Sequence, residues 1–273
     1  MSRTLVPALL LAALAVPAAA EENEWTLLEQ GIAEVGKGHL ERAERILDAA
    51  LRRNAECRDA YYYLGMIREK QGKLDEAVAF YGKIGPDAPT SSLAAGRLGE
   101  IAVRAGRHEE ALAHLQAFAE AHPSARAHMR VAAVLLELGR HDETEAALKK
   151  AAGFSKDDLE LHDLWGRLHM EKKSWHEALE RWERILKVIP GDLAARHLKA
   201  TCLLRMDRRA AAVKEWEGLL SEAPYHDLAL RAAIDACASD PERARQVLEW
   251  RERLEAIRKN PPRVRHVAGD AAK

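Results

Sequence analysis

The sequence predicts an all-α protein made of stacked helix-turn-helix units. Two observations predict it. Apolar residues recur at helical spacing in paired segments, with a glycine or polar break between the partners. The whole pattern then repeats about every 34 residues from Glu24 to near the C-terminus. The clearest copy is Arg58–Ser91, so Arg58 is numbered position 1. Ala60–Lys70 carries one helical pattern, Gly72 breaks it, and Leu74–Ile84 carries the second. Pro89 cannot extend that second helix and opens the next connection.

Other copies keep this phase. Position 8 reads Gly31, Gly65, Gly99, Ala133, Gly166 and Ala200; position 20 reads Ala43, Ala77, Ala111, Thr144, Ala178 and Ala212. Small residues recur there because the two helices of a unit cross at those points. Position 32 reads Ala55, Pro89, Pro123, Lys156, Pro190 and Pro224. Each series steps by 34 except for one step of 33 at the fourth unit, and the missing residue is expected in that unit's inter-helix turn, between Ala133 and Thr144.

These residues resemble the tetratricopeptide repeat, with its small residues at positions 8 and 20 and its proline at 32. The resemblance covers roughly residues 24–254. It implies a right-handed superhelical solenoid of about six and a half units with a C-terminal capping helix. The units are 24–57, 58–91, 92–125, 126–158, 159–192 and 193–226, then a partial unit with the capping helix at 227–258. Taken in order, unit 1 has helices near Glu24–Gly36 and Leu40–Arg53, with Asn23 placed to cap the first. Unit 4 departs most from the pattern and is expected either to alter the local twist or to separate two sub-arrays. Unit 5 places Trp165, Trp175 and Trp182 at core positions, and unit 6 repeats this with Trp216. Asp240-Pro241 should start a final helix to Arg258, one face packed and the other solvated. Residues 259–273 contain Pro261-Pro262 and lack apolar periodicity, which predicts a disordered tail.

Residues 1–20 stand apart. Arg3 is followed by an uncharged apolar run, Leu5–Val16, then Pro17 and three alanines. This reads as a signal peptide cleaved after Ala20, too short to span a bilayer comfortably. It predicts a periplasmic or secreted protein, not membrane-spanning after cleavage. Composition agrees with a soluble helical chain: 48% hydrophobic, 31% charged, net charge −1. That balance gives no reason to expect nucleic-acid binding.

Catalytic signatures are absent from the sequence: no phosphate loop, no GxSxG, no HExxH. No cofactor and no metal are expected. His39, His108, His141 and His176 fall at or beside the turns of different units, and His162 and His169 are too far apart to share one ion. Cys57, Cys202 and Cys237 are too few and too scattered for a disulfide framework, although the register would allow Cys202 to reach Cys237.

In the family resembled, first helices line a concave wall through positions 2, 5, 6, 9, 12 and 13. Here the N-terminal part of that wall is apolar and aromatic, with Leu28, Ile32, Tyr62, Tyr63 and Met66. Its centre is charged, with Arg97, Glu100, Arg104, Arg130, Asp163 and Arg167. The Lys and Asn set that grips chaperone C-termini in some relatives is missing. The resemblance thus implies a non-enzymatic scaffold that binds a peptide or protein segment in its groove, in assembly or regulation of a bacterial envelope complex. The alternative is an accessory subunit of a cell-envelope polysaccharide or peptidoglycan machine.

Overall fold

The computed structural model describes residues 23–259. The expected leader and the tail beyond Lys259 lie outside the described residues; Lys259 itself ends the last helix. The described chain is all-helical, with fourteen α-helices and one short 3-10 helix. It divides into two compact units, one ending at Ile101 and the other starting at Ala102. The division therefore falls in the third repeat and not at the degenerate fourth.

The first unit holds α1 (Glu24–Gly36), α2 (Leu40–Arg53), α3 (Asp59–Lys70), α4 (Leu74–Tyr81) and most of α5 (Ser91–Arg104). The Asn23 side chain accepts from the Thr26 N–H at 2.8 Å, so the first helix is capped as expected. The second helix of repeat 2 is shorter than its pattern: α4 stops at Tyr81 and not at Ile84. Gly82 and Gly85 follow, and glycine is a poor helix former. An aspartate replaces a cap for the next repeat, since Asp59 Oδ1 accepts from both the Thr90 hydroxyl (2.6 Å) and the Thr90 N–H (3.1 Å).

The second unit holds the rest of α5, then α6 (His108–Ala121), α7 (Ala125–Glu137), α8 (His141–Phe154), α9 (Leu159–Glu171), α10 (Trp175–Val188), α11 (Leu193–Arg205), α12 (Arg209–Glu222), α13 (Asp227–Cys237) and α14 (Ala244–Lys259). First helices are capped in register by Ser124, Asp158, Asp192 and His226, 34 residues apart. The last helix starts later than predicted. Asp240 caps a single 3-10 turn, Pro241–Arg243, before α14 begins at Ala244. Proline lacks the N–H a continuing helix would use but fits its first turn. Val247 and Trp250 bury one face of α14 while Leu248 and Arg245 stay exposed.

Position 20 is fully buried in all six repeats: Ala43, Ala77, Ala111, Thr144, Ala178 and Ala212 each show 0% exposure. The reason for glycine at position 8 is visible opposite position 24. A Cβ on Gly65 would lie 2.5 Å from the Tyr81 ring, and one on Gly166 would lie 2.5 Å from the Trp182 ring. In repeats 2 and 5 the missing Cβ is the space the aromatic ring at position 24 fills, and in repeat 1 the Leu47 side chain fills it over Gly31.

The missing residue is not in the fourth inter-helix turn. That turn has the same length as its neighbours. The connection between α6 and α7 is the short one, with only His122 and Pro123 before the cap Ser124, where the following connections have three residues before Asp158, Asp192 and His226. The first helix of repeat 4 is consequently shifted by one. Ala132, fully buried, takes position 8, and Ala133 is half-buried.

Turns show one more regularity. The residue at position 15 has a left-handed backbone in each of six repeats: Gly38 (φ 80°), Gly72 (75°), Gly106 (71°), Gly139 (69°), Lys173 (59°) and Asp207 (61°). A lysine side chain is strained there by about 1 kcal/mol; aspartate tolerates the conformation better. We expect Lys173→Gly to stabilise the protein by about 1 kcal/mol in urea unfolding. An unchanged or lower midpoint would contradict the assigned turn.

The tryptophans follow the register except at one place. Trp165, Trp182 and Trp216 are buried. Trp175 opens α10 only half-buried, with the Arg205 guanidinium 5.9 Å from its ring centre. All three cysteines are free and buried, so the Cys202–Cys237 bridge is not formed. Burial pushes the Cys202 thiol up to about 11, which leaves little thiolate at neutral pH.

Candidate functional site

In the first unit, the expected aromatic anchor is core. Tyr62 is only 7% exposed; its ring meets Tyr63 edge-on at 5.2 Å and Tyr81 at 5.9 Å. Leu28 is buried as well, and Tyr63 and Met66 are half-buried against the same packing. The position is buried because Tyr62 is long enough to fill the space between α3, α4 and α5, where it joins Ala77, Tyr81, Ala94 and Ile101. Arg97 lies 3.8 Å from Glu69 and 3.5 Å from Glu100, and the Tyr81 hydroxyl donates to Glu69 at 2.9 Å. Burial, and then the neighbouring Glu69 carboxylate, hold the Tyr81 hydroxyl protonated well above its usual range. The first unit thus brings Tyr62, Tyr63, Met66, Arg97 and Glu100 together, the rings and Met66 in packing and the charges in ion pairs.

In the second unit the picture differs. Asp163 and Arg167 are one helical turn apart on α9 and pair at 2.8 Å. Burial raises the Asp163 carboxyl, and Arg167 partly offsets this. Arg130 moves from position 5 to position 6 with the one-residue shift of α7, into the place held by Leu164 in α9 and Leu198 in α11. His197, on the wall of repeat 6, already accepts from the Trp216 indole N–H at 3.2 Å and sits against His226.

Arg167 also opens onto a cavity of about 610 Å³ lined by Leu136, Glu137, Met170, Glu171 and Leu198, with Gly139 and His141 at its edge. Those residues occupy a consistent set of register positions. Leu198 is at position 6, Arg167 at 9, Leu136 and Met170 at 12, Glu137 and Glu171 at 13. Three successive first helices of the unit, α7, α9 and α11, thus present one wall through the positions where a groove is expected. The floor is apolar and the rim carries two exposed carboxylates. The residues expected on the wall came from positions 5, 6 and 9, with Arg104 alone from position 13 and none from position 12. The signal was available: Leu136, Met170 and Leu204 form an apolar series at nearly constant 34-residue spacing, on helix faces that a solvated wall would leave polar.

Another cavity, of about 210 Å³, lies between α6, α7 and α8, lined by Gln116, His128, Val131, Glu143 and Lys150 among others. Burial, and then Lys150, depress the His128 imidazole. No group of three or more metal-ligating side chains occurs among the described residues. Nor is any helix among them long and apolar enough to cross a membrane.

Residues 28–90 and 97–158 match the sequence profile of the tetratricopeptide repeat. No curated protein matches the chain. Among solved structures, YrrB, described as a TPR protein with an unusual peptide-binding site, aligns with a TM-score of 0.61 at 20% identity, over 68% of this chain and 96% of its own. A tetratricopeptide repeat protein from Parabacteroides merdae aligns at 0.60 and 19% identity, over 85% and 97%. Pseudomonas aeruginosa pilF aligns at 0.56 and 15% identity, over 74% and 92%. At such identities the structural likeness bears on fold alone. Profile, fold and in-register burial of the small positions agree: the chain is a tetratricopeptide-repeat protein.

Proposed function

We propose that this protein is a non-enzymatic scaffold that holds a peptide or protein segment against the α7–α9–α11 wall of its second unit. One observation carries this reading: the 610 Å³ cavity opens through positions 6, 9, 12 and 13 of three consecutive first helices. A repeat array offers such a wall because each unit contacts only its neighbours and leaves one helix face per repeat unpaired. Half-buried Leu136, Met170 and Leu198 supply an apolar floor, and a segment laid across it would bury that floor further. YrrB, which shares the fold, is described as having a peptide-binding site, so a solenoid of this kind can hold such a ligand.

The leader-like residues 1–20 support export, so the partner would belong to the bacterial envelope, where the scaffold would serve assembly or regulation of a complex. N-terminal sequencing of the protein from its native source should begin at Glu21; a start at Met1 would remove that part. A glycan-facing wall would call for exposed aromatic platforms. No tryptophan, tyrosine or phenylalanine lines the cavity, so we take a protein segment as the ligand.

The test is photo-crosslinking in the native host from a reactive residue at Met170, beside the same residue at Lys214 on the exposed face of α12. We expect a discrete protein adduct from position 170 and none from 214. Adducts only from 214, or none from either, would overturn the wall as the site.

A further inference from the structure

The charge of the wall states what kind of segment fits it. Glu137 and Glu171 occupy the same register position on neighbouring helices α7 and α9, and both are exposed. Neither takes part in an ion pair or side-chain hydrogen bond among the described residues. Arg167 is the one cation among the residues that line the cavity; Lys173, on the turn after α9, and Arg205, at position 13 of α11, lie outside that lining. Arg167 is bound to Asp163 at 2.8 Å, Lys172 to Glu145 at 2.8 Å, Arg140 to Glu143 at 2.7 Å, and Arg205 leans on the Trp175 ring. The charge left uncompensated at the mouth of the cavity is therefore negative, and it flanks an apolar floor of Leu136, Met170 and Leu198.

On this basis we infer that the segment held by the wall is basic, with two lysine or arginine side chains on either side of an apolar anchor. The apolar side chain enters the cavity; the two cations meet Glu137 and Glu171. Adjacent packed helices lie roughly 10 Å apart. An extended chain advances about 3.3 Å per residue, so the cations would stand about three residues apart. Each pairing would be a charge-assisted hydrogen bond to a carboxylate that now faces only water. This inference rests on the proposed wall as the binding site and specifies its ligand.

The experiment uses the whole chain and three fluorescein-labelled peptides in anisotropy titrations. One peptide has lysines spaced three apart around leucines; the second replaces each lysine by glutamate; the third replaces each leucine by serine. The lysine–leucine peptide should bind at least tenfold tighter than either other peptide, and its affinity should fall with added salt. In the Glu137→Lys/Glu171→Lys variant the preference should invert toward the glutamate peptide. That variant should fold, because both sites lie at helix C-termini, where a cation suits the helix dipole. A Glu177→Lys/Glu183→Lys variant makes the same change in net charge on exposed α10 residues and should leave the preference unchanged.

Preference of the wild type for the glutamate peptide would overturn the inference. So would an equal effect of both double variants, because net charge alone would then explain the binding. The two readings separate in the crosslinking experiment. An adduct from position 170 whose captured segment is acidic or uncharged would leave the wall standing and remove the basic ligand. No adduct from 170 would remove both.

Discussion

Replacing Trp182 with alanine should destabilise the second unit by about 3–5 kcal/mol, the range for truncating a buried tryptophan. Trp182 is fully buried at position 24 of repeat 5. Its ring lies over Gly166, so close that a Cβ there would sit 2.5 Å away. It also belongs to a continuous core with Ile185, Ala200, Cys202, Leu203 and Trp216. Removing it empties the space between the two helices of its own repeat and exposes the face on which the next repeat stacks. Its indole nitrogen meets no oxygen or nitrogen acceptor, only the Cys202 thiol beside it, so the loss is chiefly one of packing. Trp182→Phe should therefore cost much less than Trp182→Ala, although the smaller ring still leaves some space. Because repeats support only their neighbours, the loss should appear first as faster amide exchange in α9, α10 and α11. Urea denaturation followed by tryptophan fluorescence measures the size of the effect. A cost below about 1 kcal/mol for Trp182→Ala would mean that the register of repeat 5 is wrong.

Ala77→Leu should cost about 1–3 kcal/mol through the opposite failure, overpacking. Ala77 is fully buried where α3 and α4 cross, among Tyr62, Tyr81, Ala94 and Ile101. Ala77 is fully enclosed, so to accept three more carbons the helices must separate or Tyr81 must move, and Tyr81 is held by its hydroxyl on Glu69. Thr144→Ala at the same register position is the control. The Thr144 hydroxyl donates to the Arg140 carbonyl at 2.9 Å, an oxygen that also accepts the Thr144 N–H. Its removal orphans no buried group. The lost methyl costs about 0.8 kcal/mol, and alanine's better helix propensity offsets roughly half of it. Thermal unfolding should show a clear drop for Ala77→Leu and almost none for Thr144→Ala. Equal behaviour of the two would contradict the shared position.

The fold was legible because its constraints are local and periodic. Small residues at positions 8 and 20 and breaks after each first helix locate fourteen helices within a few residues. The exceptions have physical causes. Ala132 and Ala133 are both small, so letters alone fit either phase, and only burial shows that Ala132 is at the crossing and that the lost residue precedes Ser124. The α4 pattern continues through Ile84, but glycines at 82 and 85 end the helix at Tyr81. Lys173 and Asp207 take a backbone conformation that their side chains do not advertise.

The site was less legible. An aromatic residue at a wall position reads equally as an anchor for a ligand or as core, and Tyr62 is core because Tyr81 and α5 close over it. Charges at the centre read as a binding set until pairing is seen. Asp163 and Arg167 neutralise each other, and the uncompensated charge lies one turn further along, at Glu137 and Glu171. Pairing is a matter of rotamer and distance, which periodicity does not encode.

The most direct measurement of the central claim is hydrogen–deuterium exchange on the full chain, free and bound to a synthetic copy of the segment captured from position 170. Slowed exchange is expected in the C-terminal halves of α7 and α9 and around Leu198 in α11, with α8, α10 and α12 unchanged. Protection confined to the second helices, or to the first unit around Tyr62 and Arg97, would contradict it.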